Sequence, residues 1–248
     1  MNEEYAKKII RENNKGYELI TDHFSLTRNR IWPEIKFLFE KYINPDDNFL
    51  DLGCGNGRFC EIVKNYTERY VGIDSCKGLI KIAKQKNPNA NFIEASALNI
   101  PFPENYFDKI YSIAVLHHIP SKQLRLNFLK EIRRTLKPGK LCVLTVWEAK
   151  EKKIIISLLK FTFLKLFFLS KLDFGDMFLP WKNNLGENKF NRYYHFFSKK
   201  ELINLFKEAG FSVRDVGIVR NRKGNHCNIY IVAEKGKGIT NLTENRSS

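Results

Sequence analysis

Three glycines at alternate positions in Asp51-Leu52-Gly53-Cys54-Gly55-Asn56-Gly57 constrain this chain more than any other segment. They follow a short apolar run over 48–52 and precede an amphipathic stretch, so they sit where a strand turns into a helix. Glycine there permits a tight turn and lets a ligand approach the main chain. Asp74 ends the next apolar run about twenty residues beyond the loop, where a carboxylate can accept both hydroxyls of a ribose. The spacing is G-x-G-x-G with an acid two residues before the first glycine, and it differs from the G-x-G-x-x-G of dinucleotide folds.

From Phe49 onward, short apolar runs alternate with amphipathic stretches. Strands are expected over 48–52, 70–73, 91–94, 106–115 and 141–147, with helices over 56–65, 77–86 and 121–136. Such alternation predicts βαβ units, and hence an α/β, doubly wound, mostly parallel sheet. Lys137-Pro138-Gly139 reads as the turn that stops a helix. Residues 211–219 and 228–233 flank a polar connection and read as an antiparallel hairpin closing the sheet. A helical cap over 1–44 precedes these elements, with Ile31, Ile35, Leu38 and Phe39 at helical spacing and Pro33 suited to a first turn. The main domain is expected over 45–234. It carries a basic apolar helical insertion at 150–172, an irregular aromatic segment facing substrate at 176–197, and a helix from Ser198 to Ala209. Residues 235–248, rich in Gly, Lys, Asn and Ser, are expected to be a disordered tail.

With 43% hydrophobic and 28% charged residues over 248 positions, the composition excludes intrinsic disorder. Lys and Arg number 42 against 27 Asp and Glu, and the resulting +15 gives a surface that attracts phosphates or anionic lipid. Cys54, Cys60, Cys76, Cys142 and Cys227 are scattered and form no C-x-x-C pair, so neither a disulfide framework nor a metal site is expected. Glu3 and Glu4 stand where a signal peptide needs positive charge, and the reading is cytoplasmic. The N-x-S/T matches at Asn65, Asn241 and Asn245 are then accidental. Lys160 and Lys165 interrupt the apolar run over 154–169, which predicts an amphipathic helix and not a membrane span. Packing of that helix on the domain or a partner is preferred over contact of 152–172 with a membrane surface.

Residues 48–148 resemble the class I methyltransferases in the glycine loop, in Asp74, in Phe107-Asp108 before the fourth strand and in Leu136-Lys137-Pro138-Gly139 before the fifth. The resemblance implies a Rossmann-like class I methyltransferase fold with S-adenosyl-L-methionine as cofactor. It implies that Gly53 and Gly55 lie against the methionine portion, Asp51 faces its ammonium, Asp74 holds the ribose, and Ser96 and Ala97 stand beside the adenine. Cys54, Gly57 and Ala114 complete the expected cofactor-binding set, with turn geometry an equal reading for Cys54 and Gly57. The family often has Asp where Ser96 stands; a hydroxyl still accepts from the adenine amine, without charge assistance.

Five further segments occur in order: His23-Phe24-Ser25-Leu26-Thr27-Arg28-Asn29-Arg30-Ile31-Trp32-Pro33, Ser112-Ile113-Ala114-Val115-Leu116-His117-His118, Leu179-Pro180-Trp181, Arg192-Tyr193-Tyr194-His195 and Gly224-Asn225-His226-Cys227. Together, across 15–234, they are similar to the tRNA wobble-uridine methyltransferases that convert 5-carboxymethyluridine to its methyl ester. A Trp is usual in that family where His226 stands, and a more polar loop where 152–172 stands. The resemblance implies tRNA as substrate and a small zinc-binding activator protein as partner.

A carboxylate acceptor is already ionised at pH 7, so it requires alignment and exclusion of water but no general base. Arg28 is expected to grip it bidentately, with His117 and Arg192 orienting the other oxygen or the uracil edge; these three are the expected catalytic residues. Arg30 reads as a phosphate or surface cation, Trp32 and Trp147 as core or wall residues, and Trp181, Tyr193 and Tyr194 as divided between packing and base stacking. Two other readings stay open. One is a small-molecule or quinone methyltransferase, with His117 as base for a phenol and 152–172 resting on a membrane. The other is a noncatalytic scaffold that binds cofactor and RNA.

Overall fold

Strand β1, Phe49–Leu52, is buried at every position, the pattern of a central parallel strand covered on both faces. A computed structural model describes residues 1–28, 30–149, 152–167, 169–221 and 227–237. Along β1, Leu50 and Leu52 join the core formed with the later helices, while Phe49 points to the opposite core around Phe39, Tyr70 and Tyr111. Strands β2 (Tyr70–Asp74), β3 (Asn91–Glu94), β4 (Phe107–Ile113) and β5 (Leu136–Trp147) are parallel to it. A separate antiparallel pair, β6 (Asp176–Lys182) and β7 (Asn188–His195), precedes the closing strands β8 (Phe211–Arg220) and β9 (Cys227–Lys235). The described residues form a seven-stranded sheet in the order β3-β2-β1-β4-β5-β9-β8, with β9 antiparallel to β5. The fold is thus α/β, mostly parallel and closed by an antiparallel hairpin. Chain direction across the sheet reverses beside β1, which opens a crevice at the carboxyl ends of β1 and β4.

Three helices stand before the sheet: α1 (Glu3–Leu19), α2 (Thr21–Thr27) and α3 (Lys36–Tyr42). Helices α4 (Cys60–Lys64), α5 (Lys77–Lys86) and α6 (Lys122–Thr135) connect the parallel strands, α7 (Lys152–Leu166) follows β5, and α8 (Lys199–Glu208) follows β7. Asn13 on α1 accepts the Tyr193 main-chain N–H at 3.1 Å, so the first helix is tied to β7 above the crevice.

Several expectations are corrected. The aromatic segment is not irregular: β6 and β7 pair from Asp176 opposite His195 to Lys182 opposite Asn188. Apolar and polar side chains do not alternate there, because both faces of the second half of β7, Arg192 to His195, are buried by protein. Asp176 accepts from the Tyr193 hydroxyl at 2.5 Å and lies 2.7 Å from His195 Nδ1, and His195 Nε2 reaches Glu201 of α8 at 2.8 Å. That network anchors the base of the hairpin. The helix expected over 56–65 begins only at Cys60, since the glycine turn consumes the preceding residues. β5 starts at Leu136, and Lys137-Pro138-Gly139 forms a register shift inside it, with Lys137 and Lys140 both paired to Asp108 at 2.7 and 3.1 Å. Among the described residues no helix is long and apolar enough to cross a membrane. Ile154, Leu158 and Phe161 of α7 pack against Met177 and Tyr194, while Ile156, Leu159, Phe163 and Leu166 are exposed. Asn29, Gly224, Asn225, His226, Asn241, Asn245 and the tail past residue 237 lie outside the described residues.

Candidate active site

The glycine loop leaves β1 and Asp74 ends β2, so both meet at the carboxyl edge of the sheet. Gly53 has φ +81°, and a Cβ there would stand 2.3 Å from Val115. Gly55 has φ +56°, and its N–H donates to Asp74 Oδ2 at 2.9 Å. Only glycine takes both backbones without strain. Asp74 Oδ1 accepts the Cys76 N–H at 2.9 Å, so one carboxylate holds two loop donors, and burial raises its pKa.

A cavity of about 180 Å³ opens here, lined by Gly53, Cys54, Gly55, Asp74, Ser96, Ala97 and Ala114. Ser96 Oγ accepts the Leu98 N–H at 3.2 Å, which shapes the turn after β3. Ala114 carries φ +62°, a strained backbone held by its N–H donating to Thr145 O at 3.0 Å. Asp51 and Gly57 stand behind this lining. Asp51 accepts from the Tyr70 hydroxyl at 2.9 Å, and burial pushes its pKa up to about 7; Gly57 faces Phe92 and Ala83. A cradle that side chains would fill, with a buried carboxylate at its end, fits the adenosine and methionine portions of S-adenosylmethionine.

The opposite wall of the same cavity is cationic and aromatic. Arg28, His117, Arg192 and Tyr194 all line it. The Arg192 and Arg28 guanidinium carbons lie 4.5 and 5.4 Å from the Trp181 ring centroid, and Arg192 lies 5.1 Å from that of Tyr194. Trp181 is therefore a platform for two guanidiniums, and its Nε1 donates to His23 Nδ1 at 2.9 Å. Burial lowers the Arg28 pKa, and the charge of Arg192 lowers it further. Among the described residues no carboxylate stands at ion-pair distance from either arginine. His117 is 1% exposed and stacked on Tyr194 at 5.2 Å and 17°. His117 Nε2, Arg192 Nε and the Tyr194 hydroxyl are buried without hydrogen-bond partners among the described residues. Three orphaned polar groups on one wall mark a place where a ligand completes the bonding.

Residues 50–144 match a family model described as a methyltransferase domain. The chain is 30% identical over 256 residues to the tRNA (carboxymethyluridine(34)-5-O)-methyltransferase of Schizosaccharomyces pombe, across 94% of this chain and 98% of that protein. The chain belongs to that family. It is a class I S-adenosylmethionine-dependent methyltransferase. A solved methyltransferase of that cofactor class from Methanosarcina mazei superposes with a TM-score of 0.67 at 25% identity, over 84% of this chain and 99% of that one. The methyltransferase solved in complex with the Haloferax volcanii Trm112 activator gives a TM-score of 0.67 at 14% identity, over 90% of this chain and 97% of that one, and shares the fold.

Two wall residues of this methyltransferase escaped the sequence reading. Tyr17 donates to His118 Nε2 at 3.0 Å, and His118 Nδ1 donates to Tyr193 O at 3.0 Å, which ties α1, the turn after β4 and β7 around the cavity mouth. The amphipathic spacing of α1 signals its helix but not this hydroxyl. Arg58 also lines the cavity, and its position directly after the third glycine was the available signal.

Proposed function

We propose that this methyltransferase acts on tRNA and esterifies the carboxylate of 5-carboxymethyluridine at the wobble position. The observation that carries the reading is the pair Arg28 and Arg192, two guanidiniums on one Trp181 ring with no carboxylate of the described residues between them. Holding two like charges together in a buried wall is costly unless an anion joins them. The name of the S. pombe relative supplies the matching anion, and the +15 charge suits a nucleic acid.

When bound, S-adenosylmethionine supplies a methyl group on a sulfonium that leaves as a neutral thioether. Gly53, Cys54, Gly55, Asp74, Ser96, Ala97 and Ala114 would hold it, with Asp51 acting from behind the loop and Gly57 setting the turn. Arg28 and Arg192 fix the acceptor carboxylate, and the guanidinium geometry allows a bidentate grip. His117 and Tyr194 offer hydrogen bonds to the second oxygen or the uracil edge from their unpartnered atoms. Burial keeps His117 well below the usual imidazole range, so it acts as a neutral donor. The chemistry is then alignment of the acceptor oxygen with the methyl group in one cavity.

Incubation with labelled cofactor and tRNA lacking the methyl ester, followed by nucleoside mass analysis, tests this reading. The expected product is the methyl ester, with label lost on mild alkaline treatment. Alkali-stable label, or label only in small molecules, overturns it. The activator partner belongs to the same proposal, and a rise in that activity on adding a zinc-binding activator subunit is its measure.

A further inference from the structure

The cavity holds a third guanidinium that the reading above leaves unused. Arg58 follows the glycine loop directly, and its guanidinium carbon lies 4.9 Å from the Trp32 ring centroid and 4.8 Å from that of Phe59. Two aromatic faces fix the plane of the group without consuming its N–H donors. Its Nη1 is buried and has no hydrogen-bond partner among the described residues. Such a donor is costly in a folded protein unless a ligand satisfies it.

Arg58 stacks on Trp32 and on Phe59 beside the glycine loop, whereas Arg28 and Arg192 both stack on Trp181 of the hairpin, and all three line the one cavity. Asp51 favours the charge of Arg58 and Arg28 opposes it. The cations therefore form two groups, Arg58 at the loop and the Arg28–Arg192 pair at the hairpin. A reaction between S-adenosylmethionine and a carboxylate acceptor brings two carboxylates into one cavity, one on each molecule. Arg28 and Arg192 share the Trp181 ring and serve the acceptor.

We infer that Arg58 binds the α-carboxylate of the cofactor's methionine portion through the free Nη1 edge of its guanidinium. The zwitterion then meets opposite charges at one place, with Asp51 toward its ammonium and Arg58 toward its carboxylate. The arrangement also has a consequence for specificity: a cofactor carboxylate occupied by Arg58 does not compete with the acceptor for Arg28. This assignment rests on the acceptor reading for the roles of Arg28 and Arg192, whereas the cofactor is that of the family.

Calorimetry without tRNA separates the two. S-Adenosylhomocysteine carries the amino acid end, and 5′-methylthioadenosine keeps the adenosine and thioether but lacks it. Arg58→Ala is expected to weaken S-adenosylhomocysteine by about tenfold or more, as loss of a charge-assisted pair does, and to leave 5′-methylthioadenosine unchanged. Arg58→Lys should fall between wild type and the alanine variant, and Arg28→Ala should leave both ligands unchanged. Retained 5′-methylthioadenosine binding also shows that the variant is folded. Equal losses for the two ligands, no loss for either, or a selective loss in Arg28→Ala overturns the assignment. The acceptor reading fails separately, on the nucleoside product.

Discussion

The main-chain N–H of Trp147 donates to Nδ1 of His117 at 3.3 Å. That bond places the ring proton on Nε2, which is buried and unpartnered, so the imidazole presents a donor to the cavity. The His117 ring stacks on Tyr194 at 5.2 Å and lies tilted against Trp147 at 5.5 Å between centroids, which holds it in this orientation. A neutral donor suits an acceptor that arrives already charged. A phenol would need a base in its place.

Transfer to tRNA is therefore expected to show no imidazole titration between about pH 6 and 8 when single turnovers are measured at saturating cofactor. Saturation matters because Asp51, with its pKa near 7, would otherwise enter through cofactor affinity. His117→Ala should be slower at every pH with the same profile. A rate that climbs through about pH 6.5 and loses that climb in His117→Ala would move the assignment to a phenol acceptor.

Arg28→Ala and Arg192→Ala should each reduce the single-turnover rate by about a hundredfold, since a misplaced acceptor forfeits alignment. If both guanidiniums serve one carboxylate, as proposed, the double variant should lose less than the product of the single losses. Additive losses would mean that the two arginines hold different groups.

Much of the fold is legible because parallel strands buried on both faces read as apolar runs. The expected strand at 91–94 and helix at 77–86 coincide with β3 and α5. The β6–β7 hairpin is not legible, since Tyr193 and His195 face the Asp176 network while Arg192 and Tyr194 face the cavity, and no polar face marks the period of two. In the site, residues carried by the glycine loop and by the motifs around Arg28, His117 and Arg192 converge on one cavity. Arg58 and Tyr17 are held in place by tertiary neighbours, Trp32 and His118, which no local pattern specifies.

Asp74→Ala removes the acceptor of two loop N–H groups as well as any ribose contact. Affinity for S-adenosylhomocysteine and for 5′-methylthioadenosine should both fall about tenfold or more, because both ligands contain the ribose. Unchanged affinity for either removes Asp74 from the ribose site.

His118 and Asp51 make opposite contributions to stability against pH. Burial lowers the His118 pKa to about 3 in the fold, against about 6.5 when unfolded, so the unfolded chain binds more protons between these values and stability is lost as pH falls through them. Asp51 is raised from 3.8 to about 7, so the folded chain binds more protons and stability is lost as pH rises across that window. Urea midpoints at about pH 5 and 6.5 should show a smaller gain on raising pH in His118→Gln than in wild type, and a larger gain in Asp51→Asn. Equal changes in all three proteins would refute both shifts.

Tyr194 separates stability from function most cleanly. Its hydroxyl is buried without a partner among the described residues, while its ring stacks on Trp147 at 5.0 Å and supports Arg192 at 5.1 Å. Tyr194→Phe keeps both stacking contacts and deletes only the orphaned hydroxyl, whose burial costs about 1 to 3 kcal/mol when unsatisfied. The variant should therefore melt at or above the wild-type temperature. Its transfer rate should fall about tenfold, the value of one hydrogen bond to a charged acceptor. Gain of stability with loss of rate is the signature of a polar group kept for a ligand. Full activity in Tyr194→Phe would show that the hydroxyl faces no reacting group, and the acceptor would then rest on Arg28, Arg192 and His117 alone.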